Sequence, residues 1–230
     1  MTTSGTYAYS PSMGELTMYA FNLCGIRGTE LAQEHMESAR MASNLLLGRW
    51  ASQGVNLWKV ELLSIPLVQG TSAYNVPPNV IVMLDTYVTT TDSSGNSIDR
   101  LILPISRTEY SSYPNKEQQG FPTTYWMDRL LSPTVTLWPV PDGSETTLNY
   151  YAVQQIQDAN FSSGQTLDLP LYFLEAFAYG LAQRLATIWA PERAVGLKTL
   201  ADEAYQIAAM QNVETAAFYV SPTISGYFRA

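Results

Sequence analysis

The residue types that most often carry chemistry are scarce in this sequence. Its 230 residues include one histidine, His35, and one cysteine, Cys24. A single His and a single Cys leave zinc only a carboxylate-dominated ligand set. A Ser-His-Asp relay would have to run through His35, and no Gly-x-Ser-x-Gly elbow accompanies it. Neither the Gly-x-x-x-x-Gly-Lys-Ser/Thr phosphate loop nor the Gly-x-Gly-x-x-Gly fingerprint occurs. Cys24 closes the run Tyr19-Ala20-Phe21-Asn22-Leu23, where a thiol packs as a small hydrophobe. His35 falls on or near the apolar stripe of a predicted helix, which makes it a packing or solvent-facing residue.

Carboxylates need a separate test, because two of them suffice for glycoside hydrolysis. Asp85, Asp99, Asp128, Asp158 and Asp168 lie in or beside predicted strands. Nothing in the sequence pairs them, and each is explained by a strand end or a turn. The loop Asp92-Ser93-Ser94-Gly95-Asn96 resembles a calcium loop but lacks the later acidic ligands of an EF-hand, so it reads as a hairpin turn. Trp126 and Trp138 could stack on sugars, yet in alternating strands such rings belong to a core. The sequence therefore predicts no catalytic residue, no metal ligand and no cofactor site. A chain without a chemical site works by packing.

Composition agrees. Charged residues make up 14% of the chain, well under the roughly 25% of ordinary soluble domains, and 15 tyrosines supply much of the polarity. Tyrosine buries a large area while keeping a hydroxyl to pair, which suits subunit interfaces; it also suits pleated sheet. The net charge of −8 and the scattered 12 Lys and Arg argue against tight duplex binding, which needs a basic face. One cysteine excludes an intrachain disulfide and fits a reducing compartment. No signal peptide is visible at the start, and no run approaches the ~18 apolar residues of a membrane span.

The elements follow from periodicity and punctuation. Residues 1–11 read as an extended arm. Ser12 and Glu15 form a capping-box pattern opening a helix to about Leu23. Thr29 is a plausible cap for a second helix, which ends near Gly54 and buries Leu31, Ala39, Ala42, Leu46 and Trp50; the two helices read as a hairpin. Residues 59–68, 80–90, 98–105, 123–130, 134–138 and 146–155 read as strands of a small antiparallel sandwich or barrel-like sheet. Helix returns after Pro170, with Leu174, Ala178, Leu181, Leu185 and Ile188 as one stripe. Pro191 opens the last helix, with Leu197, Leu200, Ala204 and Ile207 or Ala208 inward. The expected fold is α+β: a four-helix bundle built from N- and C-terminal helix pairs, with an inserted antiparallel β-rich domain and an extended C-terminal tail. Its parts are an arm and helical hairpin (1–54), a β-rich insert (55–166), two further helices (167–211) and the tail (212–230). The tail is too apolar for an ordinary solvated end, and its Phe218, Tyr219, Val220, Ile224, Tyr227 and Phe228 are candidate partner-docking residues.

Four stretches, in this order and spacing, resemble head-to-tail adaptor proteins, the tail tubular A-like family of short-tailed and related phages. They are 42–58, containing Leu46-Leu47-Gly48-Arg49-Trp50; 67–77, containing Gln69-Gly70-Thr71-Ser72; 105–123, containing Ser106-Arg107-Thr108-Glu109-Tyr110 and Gly120-Phe121-Pro122; and Val135-Thr136-Leu137-Trp138-Pro139-Val140-Pro141-Asp142. The similarity spans about 15–210. It implies a structural virion protein at the head-tail junction, assembled in the host cytoplasm. That protein forms a homo-oligomeric ring, commonly dodecameric, beneath the portal protein and offers a docking surface to a downstream tail or nozzle protein. DNA would pass through the channel without specific contact, and no membrane is involved. Two alternatives remain: another ring-forming component, such as a head-completion or tail-terminator protein, and a tail-associated saccharide-binding or hydrolytic protein.

Overall fold

The computed structural model describes residues 3, 5–54, 56–91, 94–161 and 164–213. All six candidate docking residues of the tail, Phe218 to Phe228, lie outside these. In chain order the elements are α1 (Met13–Leu23), α2 (Gln33–Ala51), β1 (Val60–Pro66), β2 (Ala73–Asn75), β3 (Val80–Thr91), β4 (Ser97–Pro104), α3 (Arg107–Ser112), β5 (Thr124–Met127), β6 (Thr134–Trp138), β7 (Glu145–Gln154), α4 (Leu171–Trp189) and α5 (Pro191–Gln211).

Local chemistry explains the helix starts. The Ser12 hydroxyl accepts the Glu15 N–H at 3.3 Å while the Glu15 carboxylate accepts the Ser12 N–H at 2.7 Å, closing the capping box. The Ser12 N–H and then the Ser12 hydroxyl, both donating to it, hold the Glu15 carboxyl below its ordinary range. Thr29 does not cap α2. Residues Gly28–Glu30 form a 3-10 turn, and α2 starts at Gln33, where His35 Nδ1 accepts the Ala32 N–H at 3.1 Å.

The four-helix bundle with an inserted domain is not what forms. In a bundle each long helix flanks two others around a shared core. Here α1, α2 and α5 each pack on α4, while the consecutive α1 and α2 do not pair as a hairpin. The reason lies in α4 itself. Beyond the expected stripe, Phe173, Ala176, Phe177, Gly180, Ala182 and Ala186 are also buried, so the helix is apolar around most of its circumference. Its core is completed by chain entering and leaving the sheet, including Trp58, Ile156, Ala159, Phe161 and Leu167. Two expected core residues are not in it: Leu200 of α5 is 44% and Ile188 of α4 58% exposed. The last helix packs mainly on α4, with Tyr205 also against Trp50 of α2, and buries one stripe, Leu197, Ala204 and Ala208, so of Ile207 and Ala208 it is Ala208 that faces inward.

The strands form one mixed seven-stranded sheet in the order β1-β7-β3-β4-β5-β6-β2. It is not purely antiparallel, since β4 and β5 run parallel. Thr86, Val88, Ile102, Leu148 and Tyr150 point inward from its first half. They share one core with Tyr74, Val135 and Leu137 of the last strands, so the sheet curls on itself. Register shifts in the β3–β7 pairing add local twist to that curl. The overall class is thus α+β, with the helices gathered on α4 and the sheet curled around its own core.

Three polar ties join sheet and helices. Asn44 of α2 both donates to the Ala159 carbonyl (3.0 Å) and accepts the Ala159 N–H (2.9 Å). Lys59, just before β1, pairs with Asp168, just before α4, at 2.7 Å. The Leu57 N–H donates to Asn212 Oδ1 at 2.9 Å. The chain therefore enters and leaves the sheet at one place on the helices.

Packing predicts a sharp contrast along α4. Leu181 is fully buried and Ile188 is 58% exposed, although both sit on the same sequence stripe. Leu181→Ala should cost about 2–5 kcal/mol in urea unfolding, and Ile188→Ala less than about 0.5 kcal/mol.

Candidate assembly surfaces

Most of the residues singled out for chemistry are occupied by structure. Cys24 is buried, its thiol donates to the Ala182 carbonyl at 3.3 Å, and burial pushes its pKa from 9.0 up to about 11. His35 caps α2 and lies between two rings, stacked on Trp189 at 4.2 Å and edge-on to Phe21 at 5.6 Å. Asp99 accepts the Thr89 hydroxyl at 2.7 Å. Asp128 accepts both the N–H and the hydroxyl of Thr134, bonds that lower its pKa. Asp168 takes Lys59 and the Gln157 N–H. Asp85 and Asp158 are solvent-exposed. These carboxylates serve different elements and converge on no common point. Among the described residues, no three His, Cys, Asp or Glu side chains gather closely enough to hold a metal ion.

The two tryptophans considered for sugar stacking already carry a ring. Tyr110 of α3 stacks on Trp126 at 5.7 Å, and Tyr113 lies on Trp138 at 4.1 Å. The Trp138 indole N–H is taken by the Asn115 carbonyl at 3.0 Å. These contacts pin α3 and the loop after it onto β5 and β6. As expected, β3 and β4 pair antiparallel, from Thr91↔Ser97 onward; Asp92 and Ser93 of the loop between them lie outside the described residues.

What the fold does present is apolar surface. On the outer face of the sheet Leu62 lies opposite Tyr151, and Tyr87 opposite both Asn149 and Leu101, with Leu103 two residues along β4. Leu62, Tyr151, Leu101 and Leu103 are all exposed. A second face runs along α5 through Leu200, Ile207 and Met210. A third lies where the arm crosses α1: Tyr9, Tyr19 and Leu174 line an open groove of about 400 Å³, with Glu15 and Glu175 on it. Singly exposed apolar residues are ordinary, but contiguous faces mark contact with other proteins. Sequence reading missed all three. The α5 face had a visible signal, since that helix carries more apolar positions than one stripe can bury; the sheet face had none, because alternation does not say which side meets water.

The exposed apolar residues on the sheet and on α5 are surfaces of the kind that meet other proteins. The family model described as SU10 adaptor protein matches residues 31–225, and the chain belongs to that family of phage head-to-tail adaptors. The match begins after α1 and continues to Ser225, so it is shifted toward the C-terminus relative to the 15–210 suggested by the motifs. No curated protein matches the sequence. None of the helices described is long and apolar enough to cross a membrane.

Two measurements check this account of the polar residues. Because the native thiol holds its proton more tightly than the unfolded one, its stabilising contribution is present below pH 9.0 and is lost as pH rises toward about 11. Native Cys24 should therefore resist iodoacetamide at pH 8 and react promptly in denaturant. Asp168→Ala should cost about 1–3 kcal/mol in chemical denaturation, since it strips the acceptor from the poorly exposed Lys59 ammonium and from the Gln157 N–H.

Proposed function

We propose that this protein is the head-to-tail adaptor of a phage virion: a structural subunit that closes into a ring, of the dodecameric kind, beneath the portal protein. It extends the DNA channel and presents a docking surface to the next tail or nozzle protein. Its place is the head-tail junction, reached by assembly in the host cytoplasm. The observation that carries this reading is the family match over residues 31–225. Exposed faces on the sheet and on α5 agree with it, since a ring subunit must bury surface on two flanks against copies of itself. Many modest contacts then add up through ring closure.

Net charge supports the channel role. A chain at −8 lets DNA slide past rather than gripping it. The tail is the docking strap: Phe218, Tyr219, Val220, Ile224, Tyr227 and Phe228 insert into grooves on the portal. The tail follows α5, which ends at Gln211, with Asn212 held beside Leu57.

Mass photometry of the full chain mixed with its portal ring tests both statements. The expected result is a ring-sized mass increment on the portal for the full chain. Deleting residues 214–230, which spares the Asn212 contact, should abolish that increment. An increment retained by the truncation removes the tail from docking; no increment with the full chain removes the adaptor reading itself.

A further inference from the structure

Two arginines converge where α2, α4 and α5 meet. Arg49, in the last turn of α2, and Arg184, on the C-terminal half of α4, line one small cavity of about 80 Å³ together with Gln183, Tyr205 and Asp202. Gly180 and Leu46 form part of its floor. An added Cβ at Gly180 would stand 3.0 Å from Leu46, so glycine there lets α2 and α4 approach closely enough to bring the two guanidinium groups together. Arg184 is partly buried, and its pKa is lowered by that burial and then by the charge of Arg49. Arg49 also bears on the Tyr205 hydroxyl, whose pKa burial raises and this arginine lowers.

Such a pair is costly by itself, because like charges repel and one of them has surrendered part of its water. The ordinary remedy is an internal carboxylate. None serves: among the described residues the one ion pair is Lys59–Asp168, and neither Arg49 nor Arg184 donates a side-chain hydrogen bond. Asp202 lines the same cavity yet lies beyond ion-pair distance of both guanidinium groups. The position of Arg49 near the α2 C-terminus suits the helix dipole, but that leaves Arg184 unexplained.

We propose that this cavity is an oxyanion receptor, and that its occupant is the carboxylate of an Asp or Glu side chain from a second copy of the chain. Two guanidinium forks present paired donors that match a carboxylate, and closing the contact neutralises the repulsion. The volume suits one small anionic group and is too small for a nucleotide. Charge complementarity names the source: each copy carries 20 acidic residues against 12 basic ones, so a neighbouring copy offers carboxylates, whereas the same excess repels a DNA backbone. Exposed Glu192, Asp202 and Glu203 lie on the helix that also shows Leu200 and Ile207, so acid and apolar contact occur on one element. The assignment of the occupant rests on the reading of the protein as one that packs against copies of itself; the anion site stands apart from that.

Two experiments on the full chain separate these parts. The first is a calorimetric titration with glutarate at ionic strength fixed by chloride. Saturable binding is expected, weakened about tenfold by Arg49→Gln or Arg184→Gln and unchanged by Arg40→Gln, an exposed arginine of α2 away from the cavity. Absence of saturable binding, or equal binding by all variants, overturns the receptor. If Arg184→Gln lowers the melting temperature, the solvent-facing Arg49→Gln alone decides this arm. The second is carbodiimide cross-linking of the Arg49→Lys chain, which joins an amine only to a carboxylate in contact with it. An intermolecular link mapped to position 49 is the expected result. An intramolecular link to Asp202, no link at position 49, or retention of a DNA duplex that depends on both arginines overturns the second copy as occupant, even where glutarate binds. Docking on the portal enters neither experiment, so failure here is distinct from failure of the adaptor reading.

Discussion

A helix that is apolar around most of its circumference must be covered on nearly every side, and α4 is that helix. Phe173, Phe177, Leu181 and Leu185 are all buried, and small residues between them, Ala178, Gly180, Ala182 and Ala186, let neighbours come close. Covering a side chain of this size is worth about 1.5–3 kcal/mol, so no arrangement that leaves one flank of α4 in water competes. The first helix, the second helix and the last helix are recruited for that task, from opposite ends of the chain. The strands are then held where the cover needs completing: Trp58 packs on Phe173 at 4.6 Å, and Ile156 and Ala159 close the remaining side.

That arrangement has a cost that becomes useful. Packed mainly on α4, with Tyr205 against Trp50 of α2, α5 buries one stripe and shows its second set of apolar residues to the outside. The curled sheet likewise satisfies its inner face with its own strands and leaves Leu62, Tyr151, Leu101 and Leu103 on the outer one. A subunit meant to live alone would carry charge at such places. This chain places apolar side chains there and keeps its charged fraction low, which fits a structural adaptor whose surfaces are completed by other proteins.

Several polar residues hold the fold in position. His35 caps the start of α2 and fills a gap between Phe21 and Trp189. Asp128 and Asp99 organise strand ends, and Asp168 with Lys59 fixes the place where the chain passes between sheet and helices. Arg49 and Arg184 are the exception, a charged pair with no described partner inside its own chain. Their meeting depends on a glycine in α4 and on the crossing of three helices far apart in sequence.

The limits of the elements were largely legible because their signals are local. Ser12 with Glu15, Pro191 at the start of α5 and the hairpin between β3 and β4 each depend on residues within a few positions. The absence of a recognisable phosphate loop or nucleophile elbow was equally plain, as such motifs are also local. What covers what was not legible. The stripe read on α4 hid a second buried face, Ile188 of that stripe points outward, and Leu200 looked buried until α5 proved to bury one narrow stripe, mainly against α4. The four-helix bundle failed for the same reason: hydrophobic period says that a helix has an apolar side, but the partner is chosen by competition among all such sides at once. By itself, the sequence determined the helices, the strands, the acidic charge and the family motifs. Tertiary structure alone decided the hub role of α4, the parallel pairing of β4 with β5, the outward apolar faces and the meeting of Arg49 with Arg184, because each is a contact between residues that only the packed chain brings together.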